Sequence, residues 1–147
     1  MIKLTAAEPN DVPDGLNQNL KQWQSDVVLD ETSLVLKGYN YAGDGVIDVP
    51  DNDALCVLAI LKFHLDATAE IDRIIWKYDE HRTGADKELS FVIGNGILNF
   101  IDRRGFRLVY SNDTANEYLL KLVKFEYDEI ADKFTLDLTD YFEPHCK

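Results

Sequence analysis

Side chains that carry chemistry are scarce in this chain of 147 residues, which has two cysteines, three histidines and four prolines. Cys56, inside an apolar stretch, and Cys146, next to the last residue, cannot build a disulfide framework. They suit a reducing compartment, one as a core thiol and the other as a tail thiol. The histidines at 64, 81 and 145 make no CxxC, HExxH or H-x3-H spacing with those cysteines, which excludes the familiar zinc sites. There is no GxSxG, and Cys56 lies in surroundings too apolar to favour a thiolate. GNGILNF has two glycines but neither the third glycine nor the Lys-Ser/Thr of a phosphate loop. No run approaches the roughly 18 apolar residues of a membrane span, and the amino terminus MIKLTAAEPNDVPDG lacks the apolar core of a signal peptide. A cytoplasmic location is expected.

Bases are also few. Lys and Arg number 15 against 27 Asp and Glu, a formal net charge of -12. The imbalance is uneven: up to Asp72 there are 13 acids and 4 bases, a balance of -9, and from Arg73 onward 14 acids and 11 bases, a balance of -3. Such a field repels nucleic acid and anionic membrane and speeds encounter with cationic partners. A hydrophobic content of 46%, with 11% aromatics, argues against charge-driven disorder. It is ample for one packed domain spanning residues 1–147.

Pro9, Pro13 and Gly15 among Asn and Asp mark residues 1–18 as an irregular lead-in, with a short helix beginning near Leu16. Between Trp23 and Lys37, apolar triplets on either side of Asp30 to Ser33 predict a hairpin or two short strands. Leu55 to Leu65 is almost wholly apolar and follows Pro50, Asp51 and Asp53, which predicts a buried helix. EIDRIIWKY (70–78) reads as a strand, as does Leu89 to Ile93, whereas ILNFIDRRG (97–105) reads as a helix ending at a C-cap glycine. Phe106 to Tyr110 resumes as a strand. LKLVKFEYD and KFTLDLTDYF, separated by EIAD, predict a hairpin, although Thr114 and Glu117 also form a possible capping box. The sum is an α+β fold: a single domain with a mainly antiparallel β-sheet packed against two or three helices.

NYAGDGVIDVPD (40–51) is the motif nearest to chemistry. Numbered as a twelve-residue loop it places Asn40 at position 1, Asp44 at 5, Gly45 at the turn position, Asp48 at 9 and Asp51 at 12, with an apolar segment following. It resembles an EF-hand loop, and more closely half of a dockerin module, which implies a calcium site formed by Asn40, Asp44, Val46, Asp48 and Asp51. The family's side-chain ligand is missing at Ala42 and there is no second copy. A glycine turn leading into a capped helix accounts for the same residues. The carboxylates Glu126, Asp128 and Glu129, and Asp137 with Asp140, fit a solvated face, and Arg103, Arg104 and Arg107 fit pairing with the acidic half.

These features predict a small acidic inhibitor, not an enzyme and without a cofactor, that binds a basic protein. An immunity protein for a nuclease toxin and a phage-encoded inhibitor of a nucleic-acid-handling system are examples. Asp44, Asp48, Asp51 and Asp53 would supply charge contacts, and Tyr39 and Tyr41 the anchors. The alternatives are the calcium-binding adaptor, a structural or virion assembly protein, and an enzyme with a cleft converging on titratable side chains.

Overall fold

The computed structural model describes residues 2–7, 15–29, 34–40, 55–78 and 87–142. Seven strands form one sheet: β1 (Ile2–Ala6), β2 (Leu34–Asn40), β3 (Leu55–Phe63), β4 (Thr68–Trp76), β5 (Leu108–Ser111), β6 (Glu126–Asp128) and β7 (Lys133–Asp137). Their spatial order is β1-β2-β3-β4-β5-β7-β6, antiparallel at every junction except β4–β5. Helix α1 (Asn17–Gln22) covers one face; α2 (Lys87–Arg103) and α3 (Glu117–Leu122) cover the other. The α+β, mainly antiparallel prediction holds.

The central strand decides how the two faces fill. Val57, Ala59 and Leu61 of β3 pack against Leu89, Ile93 and Ile97 of α2, while Leu55, Leu58 and Ile60 meet Leu16 and Leu20 on the α1 side. A strand buried on both faces has no polar alternation left to show. For that reason the apolar run at 55–65, predicted as a helix, is β3 together with the turn after it. The reverse correction applies at Leu89 to Ile93. These residues belong to α2, where Leu89, Ile93, Ile97 and Ile101 recur at helical spacing on the buried face.

The amino-terminal stretch is not all lead-in, because Ile2–Ala6 is an edge strand paired along its length with β2. Pro9 and Pro13 come after it in the sequence. The expected short helix near Leu16 is α1. Residues 25–29, expected as a strand, belong to no ladder; instead the Asn17 side chain accepts the Leu29 N–H at 2.8 Å and donates to its carbonyl at 2.9 Å. One carboxamide thus does for Leu29 what a neighbouring strand would. The hairpin expected near the carboxyl end is β6–β7, but the first half of that apolar run is α3, starting where the Thr114 to Glu117 pattern pointed.

Candidate active-site cleft

β4 and β5 pair in parallel only at Thr68↔Leu108, Ala69↔Val109 and Glu70↔Tyr110. β4 then continues to Trp76, whereas β5 ends at Ser111 and the chain leaves the sheet through a single 3-10 turn (Thr114–Asn116) into α3. A bulge adds to the divergence: Ile60 of β3 faces Arg73 and Leu61 faces Ile71, so Asp72 is the extra residue. Between the diverging strands lies a cleft of about 650 Å³, bordered by Trp23 and Ser25 after α1, by Glu70 and Asp72 to Trp76 of β4 and by Asn112 to Ala115. Splayed parallel strands where the chain changes course are where open sheets commonly bind ligands.

Side chains take over where the ladder stops. The Asp113 carboxylate accepts the backbone N–H of Ile74 at 2.8 Å, and Asn116 Nδ2 donates to the Ile74 carbonyl at 2.8 Å and to Asp113 at 2.6 Å. Asn116 Oδ1 accepts the Trp76 indole N–H at 2.7 Å, while Ser111 Oγ donates to the Ile71 carbonyl at 2.7 Å. Burial raises the pKa of Asp113 above the ordinary carboxylate range, opposed by the donors from Ile74 and Asn116.

A second cluster stands at the closed end of the splay. His64 Nε2 lies 3.1 Å from Glu70 Oε1 and 2.9 Å from the Tyr110 hydroxyl, which donates to the same Glu70 oxygen at 3.2 Å. Burial, and then the neighbouring Glu70 charge, push the Tyr110 phenol above its usual range. Charge changes along the cleft, from Glu70, Asp72 and Asp113 to Lys77 in an adjoining cavity of about 460 Å³ that shares Trp23.

Of the residues singled out by sequence, Asp44, Asp48, Asp51, Asp53 and Tyr41, and the calcium loop apart from Asn40, lie outside the described residues. Tyr39 is buried at 4% exposure in the α1-side core. The cleft residues went unselected, though carboxylates at alternate positions among isoleucines in EIDRII were a signal.

No protein-family model and no curated protein matches the chain. Solved structures do. The chain is similar to a putative acetyltransferase from Salmonella typhimurium, solved with its cofactor acetyl-CoA, at 11% identity over 93% of this chain and 94% of that one, TM-score 0.58. It is also similar to a GNAT-family acetyltransferase from Staphylococcus aureus (8%, over 94% and 99%, TM-score 0.56). A third is the ribosomal-protein-S18-alanine N-acetyltransferase from Escherichia coli (13%, over 92% and 90%, TM-score 0.54). The fold is that of the GNAT acetyltransferases. This likeness overturns the expectations of a non-enzymatic immunity-type inhibitor and of a basic nuclease as its partner. It also runs against the expected lack of a cofactor. The misjudgement has a physical source: acidity was assigned to a docking surface, while three of the carboxylates line the cleft. Among the described residues no helix is long and apolar enough to cross a membrane.

Proposed function

We propose that the chain transfers an acetyl group from acetyl-CoA to an acceptor bound in the β4–β5 cleft. The observation that carries this is the cleft made where β4 splays from β5 beyond Glu70, in a sheet whose fold matches acetyltransferases. The residues present suit such a donor. The Ile74 N–H and carbonyl are held by Asp113 and Asn116, polar side chains of the kind that could also meet the amides of the coenzyme's arm. Beyond Trp76 the lining turns basic at Lys77, a cation of the kind that meets phosphate.

When bound, acetyl-CoA supplies an activated thioester whose C–S bond breaks as the acyl bond to the acceptor forms. The chain's own part is positioning. Asp113 and Asn116 fix the Ile74 peptide, Ser111 ties the end of β5 to Ile71, and Trp23 closes the α1 side. In this reading Glu70, which lines the cleft, accepts a proton from the acceptor.

Thermal melting with acetyl-CoA, followed by release of free thiol in the presence of a panel of amines, tests the proposal. Saturation at a hundred times the dissociation constant is expected to stabilise the fold by about 2.7 kcal/mol. An unchanged melt at millimolar acetyl-CoA, with no thiol released, would refute it.

A further inference from the structure

A second large cavity, of about 630 Å³, lies against α2 and the carboxyl-terminal end of α3 and shares no lining residue with the cleft. Its lining includes Phe91, Asn95 and Asn99 of α2, Lys124 just past α3, and Tyr141 and Phe142 after β7. The three α2 residues are four apart, so they follow one another along a single helical face. The Tyr141 hydroxyl donates to the Val123 carbonyl at 3.1 Å and lies 3.2 Å from Asn95 Oδ1, and its ring meets that of Phe142 edge-on at 4.7 Å. The segment after β7 is thereby tied to both helices.

Two polar side chains of this lining are unspent. Asn99 is half-buried and Lys124 exposed, and neither side chain has a hydrogen-bond or ion-pair partner among the described residues. Lysine at 124 is kept at a cost to the backbone, φ 82°, where glycine is at home. Phe91 is 47% exposed and Phe142 half-buried, so both rings still have apolar surface to cover. Charge selects the ligand. The chain has 27 acids, yet none lines this cavity, and Lys124 is its one charge.

We propose that this cavity is a second ligand site, for an aromatic carboxylate whose ring lies against Phe91 and Phe142 and whose carboxylate takes the Lys124 ammonium and the Asn99 carboxamide N–H. The site stands apart from the β4–β5 cleft and does not depend on the reaction assigned there.

The test is calorimetric titration of the full chain with indole-3-acetate, tryptamine and acetate. Wild type is expected to bind indole-3-acetate at least about tenfold more tightly than either of the others. A net charge of -12 attracts cations everywhere on the surface, so a preference for the anionic indole has to come from local groups. Affinity for indole-3-acetate is expected to fall about fivefold in K124G and F91A and about threefold in N99A, and to stay within about twofold of wild type in K124R and in E70Q, whose substitution lies in the cleft. K124G relieves the backbone, so its loss of ligand cannot be a loss of fold. No binding by wild type at millimolar indole-3-acetate, equal binding of tryptamine, or unchanged affinity in K124G would overturn the site. Binding lost in E70Q but kept in K124G would place the ligand in the cleft and overturn it as well.

Discussion

Single residues in this protein are set by what surrounds them. Cys56 is 6% exposed, and burial pushes its thiol up to about 11, with Lys77 a weaker opposing influence. At pH 8 only about a thousandth of such a thiol is thiolate, so in a C146S background the native protein is expected to resist iodoacetamide and react only on unfolding. Rapid native labelling would show the β3 environment to be wrong. Asp113 works in the opposite sense from a paired surface acid. Its pKa is raised by burial, so the folded state holds the proton more tightly than the unfolded chain does. Stability from this group therefore grows as pH falls through the folded-state pKa and levels off below the unfolded value near 3.9. Denaturant midpoints measured from pH 7 down to pH 3.5 are expected to fall less steeply, or rise more, in wild type than in D113N. Parallel curves would count against the buried carboxylate.

Helix ends and helix crossings carry their own predictions. All three helices close with the same pair of bonds: Gln24 N–H to Lys21 and Ser25 N–H to Leu20, Gly105 to Asp102 and Phe106 to Ile101, Lys124 to Lys121 and Phe125 to Leu120. This arrangement puts one residue in the left-handed region, where glycine is at home. α2 uses Gly105 (φ 87°), but α3 uses Lys124 (φ 82°). K124G is expected to stabilise the protein by about 0.5–1 kcal/mol in chemical denaturation. Inside α2, two glycines one turn fragment apart differ. A Cβ at Gly94 would sit 2.7 Å from Val123 Cγ1, a stiff buried side chain, whereas one at Gly96 would meet Leu4 Cδ2 at 2.9 Å, the far end of a flexible one. Alanine gains about 1 kcal/mol of helix propensity at either site, and overpacking costs about 1–3. G94A is therefore expected to destabilise and G96A to be near neutral or stabilising. Equal effects would mean that α3 does not press on α2 at Gly94. The periodicity of α2 was legible from Ile97 onward, but Phe91 and Val92, exposed on its outer side, blurred the first turns toward a strand pattern.

At the scale of the whole molecule the charge of -12 opposes compaction, because like charges crowd together on folding. Raising sodium chloride from 20 to 200 mM shortens the Debye length from about 20 Å to about 7 Å and is expected to raise the melting midpoint. A midpoint that falls instead would mean that attractive pairs such as Lys62–Asp72 and Glu117–Lys121 outweigh the repulsion. The sheet itself joins distant parts of the chain: Ile74 is bonded to Asp113 and Asn116, 39 and 42 residues away, and His64 to Tyr110, 46 away.

Composition and local pattern determined that a single α+β domain would form, that β4, β5 and the β6–β7 hairpin would be strands, that α1 would begin near Leu16, and that a glycine would stop α2. Each of these rests on alternation, helical spacing or a cap, properties of neighbours in the chain. Tertiary structure decided the rest. Whether Leu55 to Leu61 became helix or strand depended on both faces being covered at once, and an unbroken apolar run carries no record of that. The cleft arises because β5 stops pairing with β4 at Tyr110, and its polar groups come from strand and loop residues some forty positions apart. No local window contains both sides of such a site, so its carboxylates read as ordinary surface charge until the fold brought them together.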